Sequence, residues 1–262
     1  MTRLKNKVAI IYGNGGVGKA IAKAFAKEGA KVYLTGRTLE KLKIVADEIF
    51  SAGGDIEIAE LDALDEQAVE KHMSDVIKKS GRIDISFNAV GIAQTLTQGT
   101  KLTELSPEKF THPVTTYIKT QFITAIAAAR QMEKQGAGVI ITHTPTPGRL
   151  SQPFMGGMSS TWAAIEALYR SISVECGEFG VRSVCLLTTA IPETPLIDEV
   201  YNIHGKARGT DYGQFLSAME SRTHRRRLTS IEELTNAAIF VASEGTAITG
   251  TILNMTAGMI VY

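Results

Sequence analysis

The stretch Val8-Ala-Ile-Ile-Tyr-Gly-Asn-Gly-Gly-Val-Gly-Lys-Ala-Ile-Ala22 decides the fold. An apolar run, a loop with four glycines and an Ala/Lys helix follow one another without a gap. A buried parallel strand reads as such a run, and glycines let backbone N–H groups approach a phosphate closely. The helix, expected to start at Gly16 or Val17, offers unpaired amides and the positive end of its dipole to an anion. The stretch therefore predicts a phosphate-bearing ligand at a strand-to-helix turn.

Two motifs share this loop. Gly13, Gly15 and Gly18 spell the dinucleotide fingerprint G-x-G-x-x-G. Gly13 to Lys19 also spells the start of a nucleotide-triphosphate P-loop, which needs Ser or Thr next to ligate magnesium. Position 20 is Ala20, and Asp84 precedes its strand instead of ending it. The dinucleotide reading is preferred.

Outward from this stretch, short β-rich runs alternate with helical segments, the pattern of a doubly wound sheet. Strands are predicted at 7–12, 31–35, 55–60, 83–88, 138–143, 181–187 and 251–255. Helices are predicted at 16–28, 38–52, 65–79, 113–135, 155–178 and 231–243. Asp65 reads as one helix cap, and Ser230 with Glu233 as a capping box. Gly29 and Gly180 lie where helices should end. The piece 188–229 reads as irregular, and a loop of that length usually covers a site. The expected fold is α/β: one Rossmann-like domain over 1–262, with about seven parallel strands and helices on both faces.

Composition agrees with a single large core, since 262 residues carry 44% apolar side chains. A net charge of +1 argues for neither nucleic acid nor a membrane surface as partner. The cluster Arg222, Arg225, Arg226 and Arg227 reads as a solvated turn in preference to a patch for an acidic substrate. Cys176 and Cys185 imply no disulfide framework, and the five histidines show no metal-ligand spacing. The polar start Met1-Thr-Arg-Leu-Lys-Asn-Lys7 does not read as a signal peptide, and no stretch reads as long and apolar enough to span a bilayer. A cytoplasmic protein is expected.

Further along lie Thr35-Gly-Arg37, Leu61-Asp62-Ala63, Asn88-Ala-Val-Gly91, Gly138-Val-Ile-Ile141, Ala163-Ala-Ile-Glu-Ala-Leu168 and Val241-Ala-Ser-Glu-Gly-Thr-Ala-Ile-Thr-Gly250. In order and spacing these pieces resemble the short-chain dehydrogenase/reductase superfamily, nearly end to end. The resemblance implies a nicotinamide dinucleotide held by Gly13, Asn14, Gly16, Val17 and Gly18, with Asp62 and Ala63 at the adenine. It adds Asn88, Gly91, Ile191 and Thr194 as further cofactor contacts. It also implies a homo-oligomer, a tetramer or dimer built through the helices at 113–135 and 155–178. An NAD site commonly carries Asp or Glu at the end of the second strand to accept from the ribose 2′-hydroxyl. Here that place is Gly36-Arg37-Thr38, and a guanidinium pairs well with a 2′-phosphate. NADP(H) is the favoured cofactor, with NAD(H) the alternative.

The expected chemistry departs from that family. Its members usually reduce carbonyls with a Tyr as acid, a Lys that lowers the Tyr pKa, a Ser and an Asn. Alignment on Ala163–Leu168 puts Met158 at the Tyr and Trp162 at the Lys. Alignment on Gly148 puts Pro145 at the Ser, and on Phe122 puts Tyr117 at the Asn. The loop is one residue shorter than usual, and Ala89 replaces the second Asn after strand four. No Tyr-x-x-x-Lys occurs in the chain. Neither Met nor Trp can donate a proton to a developing alkoxide at pH 7. Tyr117 and His143 are the candidate substitutes, His143 because strand alternation faces it the same way as position 145. Two readings follow: an NADP(H)-dependent oxidoreductase of atypical site acting on a small carbonyl or activated alkene, or a nucleotide-binding protein without turnover. A pocket gaining Met155, Met158 and Trp162 should be apolar.

Overall fold

Val8–Tyr12 forms strand β1, and all five residues are buried. In this computed structural model residues 2–150 and 152–261 are described; the expected domain ends Met1 and Tyr262 lie outside them. Strands β2 (Lys31–Gly36) and β4 (Ile85–Asn88) flank β1, both parallel to it. With β3 (Asp55–Glu60), β5 (Gly138–Pro145), β6 (Val181–Thr188) and β7 (Thr251–Met255) they make one sheet in the order β3-β2-β1-β4-β5-β6-β7. The order reverses between β1 and β4, so a crevice opens at their carboxyl ends, where open α/β sheets bind ligands.

The helices are α1 (Gly16–Lys27), α2 (Leu39–Ser51), α3 (Glu66–Ser80), α4 (Pro107–Pro113), α5 (Lys119–Gln135), α6 (Met158–Cys176), α7 (Leu196–Val200), α8 (Tyr212–Glu220) and α9 (Ile231–Ser243). Strand alternation sends Ala9 and Ile11 into one core with Phe25, Leu42 and Leu234 from α1, α2 and α9. Ile10 and Tyr12 enter the other, with Met73, Ile123 and Tyr169 from α3, α5 and α6. Helix α1 carries Gly16 and Gly18, each costing about 1 kcal/mol relative to Ala. Burial of Ile21 and Phe25 offsets this, at roughly 1.5–3 kcal/mol per large side chain. Among the described residues no helix is long and apolar enough to cross a membrane.

The caps read from the sequence are present. Asp65 accepts from the Ala68 N–H at 3.0 Å, and Ser230 and Glu233 form a reciprocal capping box. Gly29 and Gly180 take φ of +89° and +78°, the left-handed conformation that closes a helix end.

Three segments differ from expectation. The helix predicted at 113–135 begins earlier and is broken: α4 is capped by Ser106, and a π-turn over Val114–Ile118 joins it to α5. Pro113 lacks the N–H that would continue the ladder, and Thr115 Oγ1 bonds back to Thr111 and His112 carbonyls. The helix predicted from 155 starts at Met158, since Gly156 takes φ +55°, outside the right-handed helical region, with its backbone packed close to the Thr97 carbonyl. The segment 188–229 is not irregular. It folds as α7, a π-turn over Tyr201–Gly205, a 3₁₀ turn over Lys206–Arg208, and α8, whose start is a capping box of Asp211 and Gln214.

Candidate active site

The glycine loop is packed on one side and open on the other. Gly13 has φ +95°, and a Cβ there would stand 2.6 Å from the Ala89 carbonyl oxygen. A Cβ on Gly18 would come within 1.9 Å of the Gly13 oxygen. No side chain fits either place. Gly15, the N-cap of α1, makes no side-chain cap and has nothing within 4 Å of where a Cβ would be. The first amides of α1 are thus uncapped beside open space, an arrangement suited to an anion.

A cavity of about 390 Å³ lies there, above the carboxyl ends of β1, β4, β5 and β6. Gly16, Val17, Asn88 and Gly91 line it from the first two strands' loops; Ile191 and Thr194 line it from the loop after β6. Asn88 is itself locked: its Nδ2 donates to Thr124 Oγ1 at 2.8 Å and the Thr120 carbonyl at 3.2 Å, and its Oδ1 accepts from Val90 N–H. Glu199 of α7 also faces the cavity, and its Oε1 accepts from the Gln94 and Thr95 amides at 2.7 and 3.1 Å. That bond pins the helical cover to the loop after β4.

Tyr117, His143, Pro145 and Trp162 all line the same cavity. The π-turn places Tyr117 there, and π-turns occur frequently at functional sites. Its ring is half-buried with surface toward the cavity, and desolvation pushes the phenol up to about 12. Trp162 is buried, with Nε1–H lacking any hydrogen bond of ordinary geometry. The indole lies close enough to the Tyr117 hydroxyl to temper that rise. His143 Nε2 is 2.6 Å from Thr188 Oγ1, and Thr188 Oγ1 donates to the Thr189 carbonyl at 2.8 Å. The hydroxyl proton is thereby committed, so Nε2 is the donor and the neutral Nε2–H tautomer results. Burial holds the imidazole down to about 4, so it is uncharged at neutral pH. An uncharged imidazole is a poor acid.

Met158 does not belong to this pocket. It is 1% exposed and packs in the core between sheet and helices, while Met155 and Trp162 line a second cavity. The difference follows from the late start of α6, whose first turn points Met158 inward. Asn14 turns toward β2, and a Cβ on Gly36 would stand 2.8 Å from its Oδ1. Arg37 is exposed just past β2; Asp62 is exposed, accepting from the Leu64 amide at 3.0 Å, and Ala63 is buried. These three lie beyond the lining of the cavity, at the ends of the outer strands.

The second cavity, of about 420 Å³, shares Pro145, Trp162, Ile191 and Thr194 with the first. Its far wall comes from 196–228, with Gln98 added from the segment after β4; Gln98, His204, Arg208 and Arg222 were not singled out as site residues from the sequence. The Asp211-x-x-Gln214 box was the available signal for ordered structure there. The basic cluster lies in a turn with Arg222, Arg225 and Arg226 exposed; Arg227 pairs with Glu233, Arg226 donates to the Ser221 carbonyl, and Arg222 also lines the second cavity. Among the described residues no three His, Cys, Asp or Glu side chains are grouped to hold a metal ion.

Residues 11–260 match the sequence pattern of a family described as enoyl-(acyl carrier protein) reductase. An uncharacterized oxidoreductase of Thermotoga maritima is 32% identical over 262 residues, with 97% of each chain covered. The structure of a gluconate 5-dehydrogenase from Burkholderia cenocepacia, in complex with NADP and tartrate, superposes with a TM-score of 0.85 at 25% identity, covering 98% of this chain and 96% of that one. A 7α-hydroxysteroid dehydrogenase complexed with NADH and 7-oxo glycochenodeoxycholic acid gives 0.84 at 28% identity, covering 98% and 95%. Sheet order, glycine loop and crevice define an α/β oxidoreductase of the dinucleotide-binding type. The chain belongs to the short-chain dehydrogenase/reductase superfamily.

Proposed function

We propose that this protein is an NADP(H)-dependent oxidoreductase that reduces a small carbonyl compound or an activated alkene, with Tyr117 as its proton donor. The observation that carries the reading is a single cavity lined by uncapped helix amides and by a half-buried phenol. The fit of a dinucleotide rests on two features: the open side of Gly15, and Asn14 Nδ2, a buried donor without a partner near the end of β2. Gly13, Gly16, Val17 and Gly18 would hold the phosphates, Asp62 and Ala63 the adenine, and Asn88, Gly91, Ile191 and Thr194 the nicotinamide half. Arg37 offers only donors to a 2′-substituent, which suits a phosphate better than a hydroxyl.

A bound nicotinamide would supply the hydride. Tyr117, protonated across the neutral range, would hand its proton to the developing alkoxide. His143, uncharged and bonded to Thr188, would act as a fixed donor or wall and not as the acid. Pro145 and Trp162 offer no proton and shape the pocket. The relatives that bind NADP or NADH support a nicotinamide cofactor without deciding between the two.

The second reading, nucleotide binding without turnover, is favoured by one observation: residues 149–168 contain neither Tyr nor Lys, and Met158 sits in the core. Titration of NADPH and NADH, followed by NADPH oxidation against a panel of ketones, aldehydes and enones, separates the two. Binding with no oxidation of any panel member rejects the enzyme reading. The proposal includes a cytoplasmic location, which the free thiols Cys176 and Cys185 suit. It also includes self-association through the outer faces of α5 and α6.

A further inference from the structure

The second cavity differs from the first in what remains unsatisfied on its walls. Met155, Phe215, Met219 and Leu228 make it largely apolar. The polar groups that face it are mostly tied to one another: His204 Nε2 lies 2.7 Å from Gln98 Oε1, and the Gln98 amide bonds to Gln94. Arg208 and Arg222 are the charged groups of the described lining, beside the unpartnered Trp162 Nε1–H. They reach the cavity from separate elements, the 3₁₀ turn Lys206–Arg208 and the turn after α8.

Neither guanidinium has a hydrogen-bond or ion-pair partner among the described residues. Arg227, a few residues on, does pair, donating to Glu233 at 2.7 Å. The described lining contains no Asp or Glu at all. The charge of Arg208 also reaches the wall, since with burial it holds His204 below its ordinary pKa. An apolar cavity of this size falls within the usual range for small-molecule sites. Two exposed, unpaired arginine forks lining one cavity suit a carboxylate.

Resting on the oxidoreductase reading above, we propose that this cavity selects oxo acids: an apolar body along Met155, Phe215 and Met219, a carboxylate on Arg208 and Arg222, and the reacting carbonyl where the cavities meet at Pro145 and Trp162. A neutral ketone would gain the apolar contacts but leave both charges to water. Reduction then converts the oxo acid to a hydroxy acid, with one hydride from the nicotinamide and one proton delivered to oxygen.

Trp162 is the single tryptophan of the chain and lines both cavities, so its fluorescence reports occupancy independently of turnover. The test titrates 9-oxodecanoate, its methyl ester and decan-2-one into the full chain with NADPH present. The acid should bind about fivefold or more tightly than the ester, a figure discounted for the exposure of both arginines. Arg208→Gln with Arg222→Gln should bring that ratio toward unity, and Arg208→Lys with Arg222→Lys should restore part of it. Equal binding of acid and ester, a preference that survives the double Gln variant, or no response to any probe overturns the assignment. Arginine-dependent acid binding without NADPH oxidation leaves the cavity assignment standing and defeats the oxidoreductase reading. Oxidation with neutral ketones and no acid preference does the reverse.

Discussion

Asn14 lays its carboxamide against the α-carbon of Gly36: a Cβ at position 36 would stand 2.8 Å from Asn14 Oδ1. Its Nδ2 is meanwhile buried without a partner. An unpaired buried amide costs about 1–3 kcal/mol unless a ligand satisfies it. The glycine-rich loop and the end of β2 thus meet at one point, beside Arg37.

Cofactor choice should follow from that meeting. NADPH should bind more tightly than NADH, and Arg37→Asp should reverse the order by about tenfold or more, since a charge-assisted bond contributes about 1.5–3 kcal/mol. Asn14→Ala should weaken both cofactors, because the carboxamide can donate to a phosphate and accept from a hydroxyl. Equal affinities of the wild type for the two cofactors, measured by fluorescence titration, would sink the idea.

Met158→Tyr should add no carbonyl reductase activity. Position 158 is inside the core and not at the cavity, so the new hydroxyl would be buried without a designed partner. The expected cost is about 1–3 kcal/mol from overpacking and the unsatisfied hydroxyl, visible as a lower urea midpoint. An active, undiminished variant would show that the first turn of α6 can turn its side chains toward the cavity.

The sheet was legible because its strands carry short β-rich runs, the clearest being Val8–Tyr12 ahead of Gly13, and the caps at Asp65 and Ser230 are local patterns. The helical cover over 196–220 was not, because its pieces are short and its glycines, with Pro192 and Pro195 just ahead of it, read as a loop. The π-turn at 114–118 arises from Pro113 meeting threonine back-bonding, which periodicity does not register. Pro145, Tyr117 and Trp162 came together through the resemblance to the family, and His143 through strand alternation, and all four line one cavity. Met158 could not be excluded from that group, since its direction depends on where Gly156 and Gly157 stop the helix from starting earlier. Arg208 and Arg222 become neighbours of one cavity only through the fold of the cover.

Acid should destabilise the protein in a defined window. Burial lowers His143 and His72 from 6.5 to about 4. The unfolded chain therefore takes up these protons first, and stability is full above pH 6.5 and lost as pH falls toward 4. His72 sits edge-on to Tyr12 and Tyr33, at 6.5 and 6.2 Å, with Nδ1 unpartnered. Its share should be about 1–2 kcal/mol. Urea midpoints at pH 7 and pH 4.5 should differ clearly for the wild type and less for His72→Gln; an unchanged difference would reject the role of His72.

Self-association should depend on the exposed apolar side chains of α5 and α6. Phe122 is 52% exposed and Val174 84% exposed, more than isolated helices of a monomer need to leave in water. Light scattering at micromolar concentration should give more than one chain per particle, and Phe122→Glu with Val174→Glu should reduce it. A wild-type monomer would refute this.

The proton donor can be tested through pH. A Tyr117 phenol near 12 stays protonated from pH 6 to 9, so carbonyl reduction should be nearly flat in kcat across that range. The reverse reaction needs the phenolate as base, so alcohol oxidation should rise about tenfold per pH unit. Tyr117→Phe should lower kcat about a hundredfold or more with little change in KM, the mark of a group that acts in the transition state. His143→Gln should cost less, because the imidazole is uncharged in the folded protein and its Nε2 is occupied by Thr188. If the His143 variant alone abolishes turnover, the roles are exchanged. If activity survives both substitutions, the proton comes from water, and the phenol beside Trp162 serves only to fill the pocket.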